Sequence, residues 1–545
     1  MKNITANLLM LSLLLITSIV SAQYKQFARP ETDIIHYHFS IRINDRNNQI
    51  VATTSVKVKF INPTTKTFML NLIGKQNDST GMVVSEVTHR NRKLIFTHQN
   101  DLISIQLPDT LNRNVEQFFQ IKYSGIPADG LVISQNKFGE RTFFGDNWPN
   151  RARHWLAVED HPSDKATCNF SVMAPSHYQV VANGRFKRER NLPHNSKVTE
   201  WIESKPIPTK VMVFGAARFA VKKKDSLENI PISYWAYPQD SAKIFFDYAP
   251  AKKVMRFFRN KIGRYPFEKL ANIQSKTRFG GMENAGCIFY NENLVAGVKN
   301  AEIEEIVAHE IAHQWFGNSA SEKDWQHIWL SEGFATYFSA LYMENEYNKE
   351  VLDKTMYENR LAIFRFAAQN PNLPVVDSTQ ADLMNLLNAN SYQKGGWILH
   401  MLRYELGDEM FWKVIQLYYQ TYQFSNADTE DFRKVVEKVS GRDFSVFFRQ
   451  WLYGTGYPKV SGTWEYDEKN KKVVLKLKQI QRENLFIFPL EIGFYNADSQ
   501  LITTQKVTFD NREKSFEFLV TVPPANLTLD PNHWLLLKVE KLEKK

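Results

Sequence analysis

The stretch His309-Glu310-Ile311-Ala312-His313 governs the reading of this chain. Ile303, Val307, Ile311 and Trp315 recur at four-residue steps through it, which predicts a helix starting near Ala301 and apolar along one side. On a helix, residues i and i+4 share a face, so both imidazoles can reach one ion. Val307 and His309 lie about 200° apart around the axis, and the histidine pair therefore projects opposite the packing stripe. Neutral imidazole suits zinc, which in a catalytic site takes a third protein ligand and keeps one position open for water.

The third ligand is sought by spacing. A metzincin would place glycine and histidine where this chain has Phe316 and Ser319. Trp329-Leu330-Ser331-Glu332-Gly333-Phe334-Ala335 instead puts Glu332 nineteen residues beyond His313. Glu332 is expected to open a second helical segment, Gly333 to Tyr342, packed across the first so that its carboxylate meets the same ion. His-Glu-x-x-His alone arises by chance in about a few per cent of proteins this long. The apolar-backed helix and the spaced acid raise it to an expected zinc site, one ion per chain.

Outward from this centre, the periodicity changes twice. From about residue 30 to 220 it is strand-like: Tyr37, Phe39, Ile41 and Ile43 alternate with polar residues, among them His36 and His38, which are expected to face solvent. From Ala242 to about Trp451 the segments read as long and helical, until Gly454-Thr455-Gly456-Tyr457-Pro458 breaks the pattern. Strands return in Val473 to Leu477, Phe486 to Ile492 and Phe516 to Val520. The expected fold is multidomain α+β, divided as residues 23–224, an N-terminal antiparallel β domain; 225–455, a mostly helical zinc domain; and 456–545, a small C-terminal β-sandwich.

Residues 1–22 read as a signal peptide, with Lys2, the apolar run Leu8 to Val20 and Val20-Ser21-Ala22 before Gln23. The run is shorter than the roughly 20 apolar residues a spanning helix needs, so the mature chain is expected to be periplasmic or secreted, monomeric and without a membrane span. A length of 545 residues allows three or four domains. With 43% hydrophobic and 23% charged residues, wholesale disorder is excluded. The net charge of +10 is scattered: Lys222-Lys223-Lys224 is short and Arg185 to Arg190 contains Glu189, so no nucleic-acid partner is expected. Two cysteines, Cys168 and Cys287, cannot staple a scaffold and are expected as buried free thiols.

The chain resembles the aminopeptidase N-type zinc metallopeptidases (gluzincins), including the leukotriene hydrolase branch. The matching residues are Gly280-Gly281-Met282-Glu283-Asn284, His309 through Gly317, Trp329 to Ala335, and Tyr392-Gln393-Lys394-Gly395. The resemblance is strong over the catalytic region and looser over both β regions. It implies a thermolysin-like catalytic domain with His309, His313 and Glu332 as zinc ligands, Glu310 as general base and Tyr392 as donor to the attacked carbonyl oxygen. It also implies that Glu283 holds the free α-ammonium of a peptide substrate, while Gly280, Gly281, Met282 and Asn284 form the strip along which its backbone lies.

Three departures accompany the match. The family's usual Gln or Glu for the amine is missing from Gly145-Asp146-Asn147-Trp148-Pro149-Asn150, where either Asn147 or Asp146 substitutes or the contact is lost. Ser331 stands where Asn often precedes the ligand glutamate. The family's large C-terminal helical domain is expected to be absent, which would leave a more open cleft. The expected activity is removal of N-terminal residues from peptides; the alternatives are a zinc endopeptidase, an epoxide hydrolase on the same cage, or an inactive binding module.

Overall fold

A computed structural model describes residues 28–482 and 484–545; the signal-peptide reading of residues 1–22 lies outside the described residues. The chain divides into two compact units, one running to Ala249 and taking in Pro266–Asn300, the other comprising Pro250–Tyr265 and Ala301–Lys545.

In the first unit, the alternation read in the sequence builds an eight-stranded sheet. Its order is Arg185–Leu192, Ser196–Pro208, Lys165–Pro175, Thr32–Arg42, Ile50–Phe60, Gln117–Ile126, Gly81–His89 and Arg92–Lys93. Neighbours run antiparallel except Thr32–Arg42 beside Lys165–Pro175, which run parallel. Tyr37, Phe39 and Ile41 are buried. His36 and His38 are half-buried rather than solvent-facing, because the parallel neighbour supplies the hydroxyls of Thr167 and Ser171 at 2.7 and 2.8 Å from their rings. Burial lowers the pKa of both imidazoles, so these are neutral, hydrogen-bonded strand residues.

A five-stranded sheet follows, ordered Ala220–Leu227, Ile230–Ala236, Leu270–Ser275, Cys287–Asn291 and Gly281–Met282. It corrects the reading of continuous helix beyond Ala242. Leu270–Ser275 is buried at every residue and pairs in parallel on both sides; such a strand loses the polar alternation that reveals strands in sequence. Cys168 and Cys287 are buried free thiols, and burial pushes Cys287 up to about 11.

The second unit holds the helices Ala251–Lys261, Ala301–Ala312, Trp329–Glu346, Lys349–Gln369, Gly395–Leu406, Asp408–Tyr422 and Thr429–Ser440. Aromatic packing locks the first three together. Phe258 and Tyr265 meet Trp315 at centroid distances of 5.8 and 5.4 Å, and the Trp315 indole donates to the Gly263 carbonyl. Phe316 and Phe334 lie 4.8 Å apart, and Phe334 reaches Phe432 at 5.2 Å. Each such pair adds about 0.5–1.5 kcal/mol to the burial of its rings, and the Phe316–Phe334 pair ties the end of the Ala301–Ala312 helix to the Trp329–Glu346 helix. Among the described residues, no helix is long and apolar enough to cross a membrane.

C-terminal strands form two sheets, Glu513–Leu519, Lys472–Gln479, Lys459–Asp467 and Lys538–Lys544 in one, and Leu501–Phe509, Phe488–Tyr495 and Asn526–Leu529 in the other. Phe494 meets Phe518 across them at 5.4 Å, closing a sandwich.

Candidate metal centre

The Ala301–Ala312 helix carries His309, and the turn at its end carries His313, whose amide still donates to the His309 carbonyl. Ile303, Val307, Ile311 and Trp315 are buried on the opposite side, as the four-residue spacing predicts. His309 Nε2 lies 3.1 Å from His313 Nε2. Glu332 Oε2 lies 3.2 Å from His313 Nε2 and 3.5 Å from His309 Nε2. Ligand atoms 2.0–2.1 Å from a tetrahedral zinc stand about 3.3 Å apart, so this triangle has the dimensions of three zinc ligands. Among the described residues it is the one group of three His, Cys, Asp or Glu side chains close enough to hold a metal ion. Glu332 does not open its helix; it sits in the first turn of Trp329–Glu346, which starts three residues earlier.

Burial alone would raise the Glu332 carboxyl, but the two imidazoles outweigh it and hold the group well below the usual range. Burial also lowers His309. The carboxylate and a neutral imidazole are the forms that bind a cation.

The orientation of His313 is set by its other nitrogen. Nδ1 lies 3.2 Å from the Phe316 carbonyl and 3.1 Å from Ser331 Oγ. A carbonyl can only accept, so Nδ1 carries the proton and the Nε2 lone pair faces the triangle. Gly317 makes this possible: at φ +115° a Cβ there would stand 2.2 Å from Ser331 Oγ.

Tyr392 enters from a five-residue π-turn, Asn390–Lys394, not from the start of a regular helix. Its ring lies nearly parallel to that of His309, with centroids 6.1 Å apart. Glycines set this approach. A Cβ on Gly333 would stand 2.8 Å from the Gly395 backbone, so the chain leaving the Tyr392 turn touches the backbone one residue beyond Glu332. Glu310 is 6% exposed on the helix that carries His309.

The Gly280–Asn284 stretch belongs to the first unit. Gly281–Met282 forms an edge strand against Cys287–Asn291, while Met282, Glu283 and Asn284 are buried. Asn147 does not offer itself to an amine: its amide donates to the Thr209 and Met212 carbonyls and accepts from the Trp155 indole. Asp146 is fully buried and accepts from Arg151 at 2.6 Å and from the Arg278 amide at 3.2 Å. Sequence reasoning passed over Gly317, Gly333, Gly395, Lys394, Asn390 and Ser391 as shaping residues; a glycine inside each matched stretch was the signal for the first three.

Residues 246–451 match the Peptidase family M1 domain, and residues 34–211 match the Peptidase M1 N-terminal domain. The chain is 29% identical over 388 residues to glutamyl aminopeptidase of Rattus norvegicus, covering 69% of this chain and 40% of that protein. It is 32% identical over 402 residues to probable aminopeptidase 2 of Sulfurisphaera tokodaii, covering 70% and 50% respectively. The chain thus spans about half the length of these relatives. A crystal structure of Legionella pneumophila aminopeptidase A in complex with aspartic acid superposes with a TM-score of 0.82 at 18% identity, over 94% of this chain and 60% of that one.

Proposed function

The chain belongs to the peptidase M1 family, and from that premise we propose that it is an exported zinc aminopeptidase that removes N-terminal residues from peptides. The observation that carries this reading is the His309–His313–Glu332 triangle with the Tyr392 ring stacked beyond His309. Bound there, zinc supplies Lewis-acid polarisation and lowers the pKa of water to roughly 7.

The protein's own groups do the rest. Glu310 takes the proton of the attacking water and passes it to the leaving amine. The Tyr392 phenol donates to the carbonyl oxygen as negative charge develops there; such a donor is worth about 10²–10³ in rate. Glu283 pairs with the substrate ammonium, and the Gly281–Met282 edge offers backbone groups to an extended peptide.

A panel of aminoacyl fluorogenic substrates, with and without N-terminal blocking groups, tests the reading. Free-amine substrates should be cleaved and blocked ones spared, with activity lost to a chelator and restored by zinc. Equal cleavage of both would make the protein an endopeptidase. Glu283→Ala should lower kcat/KM for free-amine substrates on the order of 10–100-fold, the worth of a charge-assisted hydrogen bond, and leave any residual cleavage of blocked substrates unchanged. A variant that keeps full selectivity for free amines removes Glu283 from this role.

Ser331→Ala should weaken zinc binding about 10–100-fold, because the His313 Nδ1 proton keeps one acceptor instead of two. Chelator competition measures this, and kcat at saturating zinc should change little. An unaltered zinc affinity would mean that the Phe316 carbonyl orients the ring unaided.

A further inference from the structure

The π-turn that carries Tyr392 is held at both ends by buried polar side chains that take no part in the mechanism above. At its start, the Asn390 amide donates to the Leu373 and Pro374 carbonyls at 2.9 and 3.1 Å, and Ser391 Oγ donates to the Leu386 carbonyl at 2.6 Å. At its end, Lys394 Nζ donates to the Gly456 carbonyl at 3.1 Å. Asn390, Ser391 and Lys394 are 5%, 1% and 1% exposed, whereas Tyr392 between them is only half-buried. Burial pushes the Lys394 ammonium down to about 8. A cation at that depth opposes folding, and a methionine would fill the same volume without the desolvation cost.

Gly456, which receives this ammonium, lies in the segment that leads into the β-sandwich. The sandwich holds that segment on either side of Gly456, because the Asn484 amide donates to the Thr455 carbonyl at 3.1 Å and the Lys538 amide donates to the Pro458 carbonyl at 3.0 Å. The sandwich thus holds the backbone on either side of Gly456, and Lys394 ties the Gly456 carbonyl between those points to the turn. The turn's backbone bonds, from the Tyr392 amide to the Asn388 carbonyl and from the Lys394 amide to the Ala389 carbonyl, shape its main chain, and the side-chain anchors at either end set where that turn sits.

We propose that Lys394 is a positioning residue that fixes the phenol of Tyr392 for carbonyl attack, with the Gly454–Pro458 segment of the β-sandwich junction as its anchor. Asn390 and Ser391 secure the opposite end of the same turn. The sandwich thereby acts on the reaction from outside the metal centre, through one lysine. This inference rests on the reading of Tyr392 as the donor to the carbonyl oxygen.

A double-mutant cycle on the zinc-loaded full chain separates the two. Lys394→Met should lower kcat about tenfold, as expected when a catalytic group is misplaced by a fraction of an ångström, with KM and zinc content unchanged. In a Tyr392→Phe background the same substitution should cost less than about twofold, the limit of additivity error. Equal losses in both backgrounds would overturn the inference while leaving Tyr392 in place. Full activity of Tyr392→Phe would remove the donor reading and this inference together. Should Lys394→Met fail to fold, Asn390→Ala at the other end of the turn must show the same coupling to Tyr392→Phe, and additive losses there would equally overturn it.

Discussion

Glu332→Gln should yield a folded protein that loses zinc on dialysis against a mild chelator and turns over at least about 10³-fold more slowly at metal concentrations that saturate the wild type. The amide keeps the volume and one oxygen of the carboxylate, so the packing of Phe334, two residues on and about 200° around the same helix, is undisturbed. What disappears is the negative charge 3.2 and 3.5 Å from the two imidazole nitrogens. Two neutral imidazoles alone bind zinc far less tightly than the full trio, and the loss should exceed the 10–100-fold that follows a change outside the ligand set. Polarisation by the metal is worth several kcal/mol of barrier, which converts to about three decades or more of rate. Metal analysis and kcat on one preparation decide the matter. A variant that keeps an equivalent of zinc and wild-type turnover would exclude Glu332 as a ligand.

Local periodicity made much of this legible. The stripe Ile303, Val307, Ile311 and Trp315 is buried as its spacing requires, and a 3.6-residue repeat then dictates that His309 and His313 share the other face. Alternation did the same for Tyr37, Phe39 and Ile41. Spacing also picked out Glu332, although the helix that carries it begins earlier, at Trp329, since a helix start buried among aromatic residues has no polar cap to announce it. The strands at 270–291 escaped because a run buried on both faces carries no alternation. The Asn390–Lys394 turn escaped for a different reason. Its partners are the carbonyls of Leu373, Pro374, Leu386 and Gly456, and a backbone acceptor leaves no mark in sequence. The same holds for His313, which finds Phe316 through its carbonyl rather than its side chain.

Glu310→Gln should lower kcat by about 10²–10⁴, the range for loss of a positioned general base, while the protein keeps a full equivalent of zinc and an unchanged KM. Glu310 sits on the Ala301–Ala312 helix, 6% exposed, and it lies outside the His309, His313 and Glu332 triangle. Its amide would retain an acceptor oxygen to orient the attacking water but could not accept the proton. Binding therefore survives and chemistry does not, and the acid limb that a titrating base gives kcat/KM should vanish with it. Glu310→Asp, which keeps the carboxylate but shortens its reach by one methylene, should recover part of the rate. Wild-type kcat in a folded, zinc-loaded Glu310→Gln would assign proton transfer to another group. Set beside Glu332→Gln, one chemical change is made at two carboxylates of one site. Turnover is lost in both, yet zinc is retained at position 310 and lost at position 332. Two carboxylates with interchangeable roles would give matching zinc contents, so opposite contents with turnover lost in both require that one glutamate moves the proton and the other holds the metal.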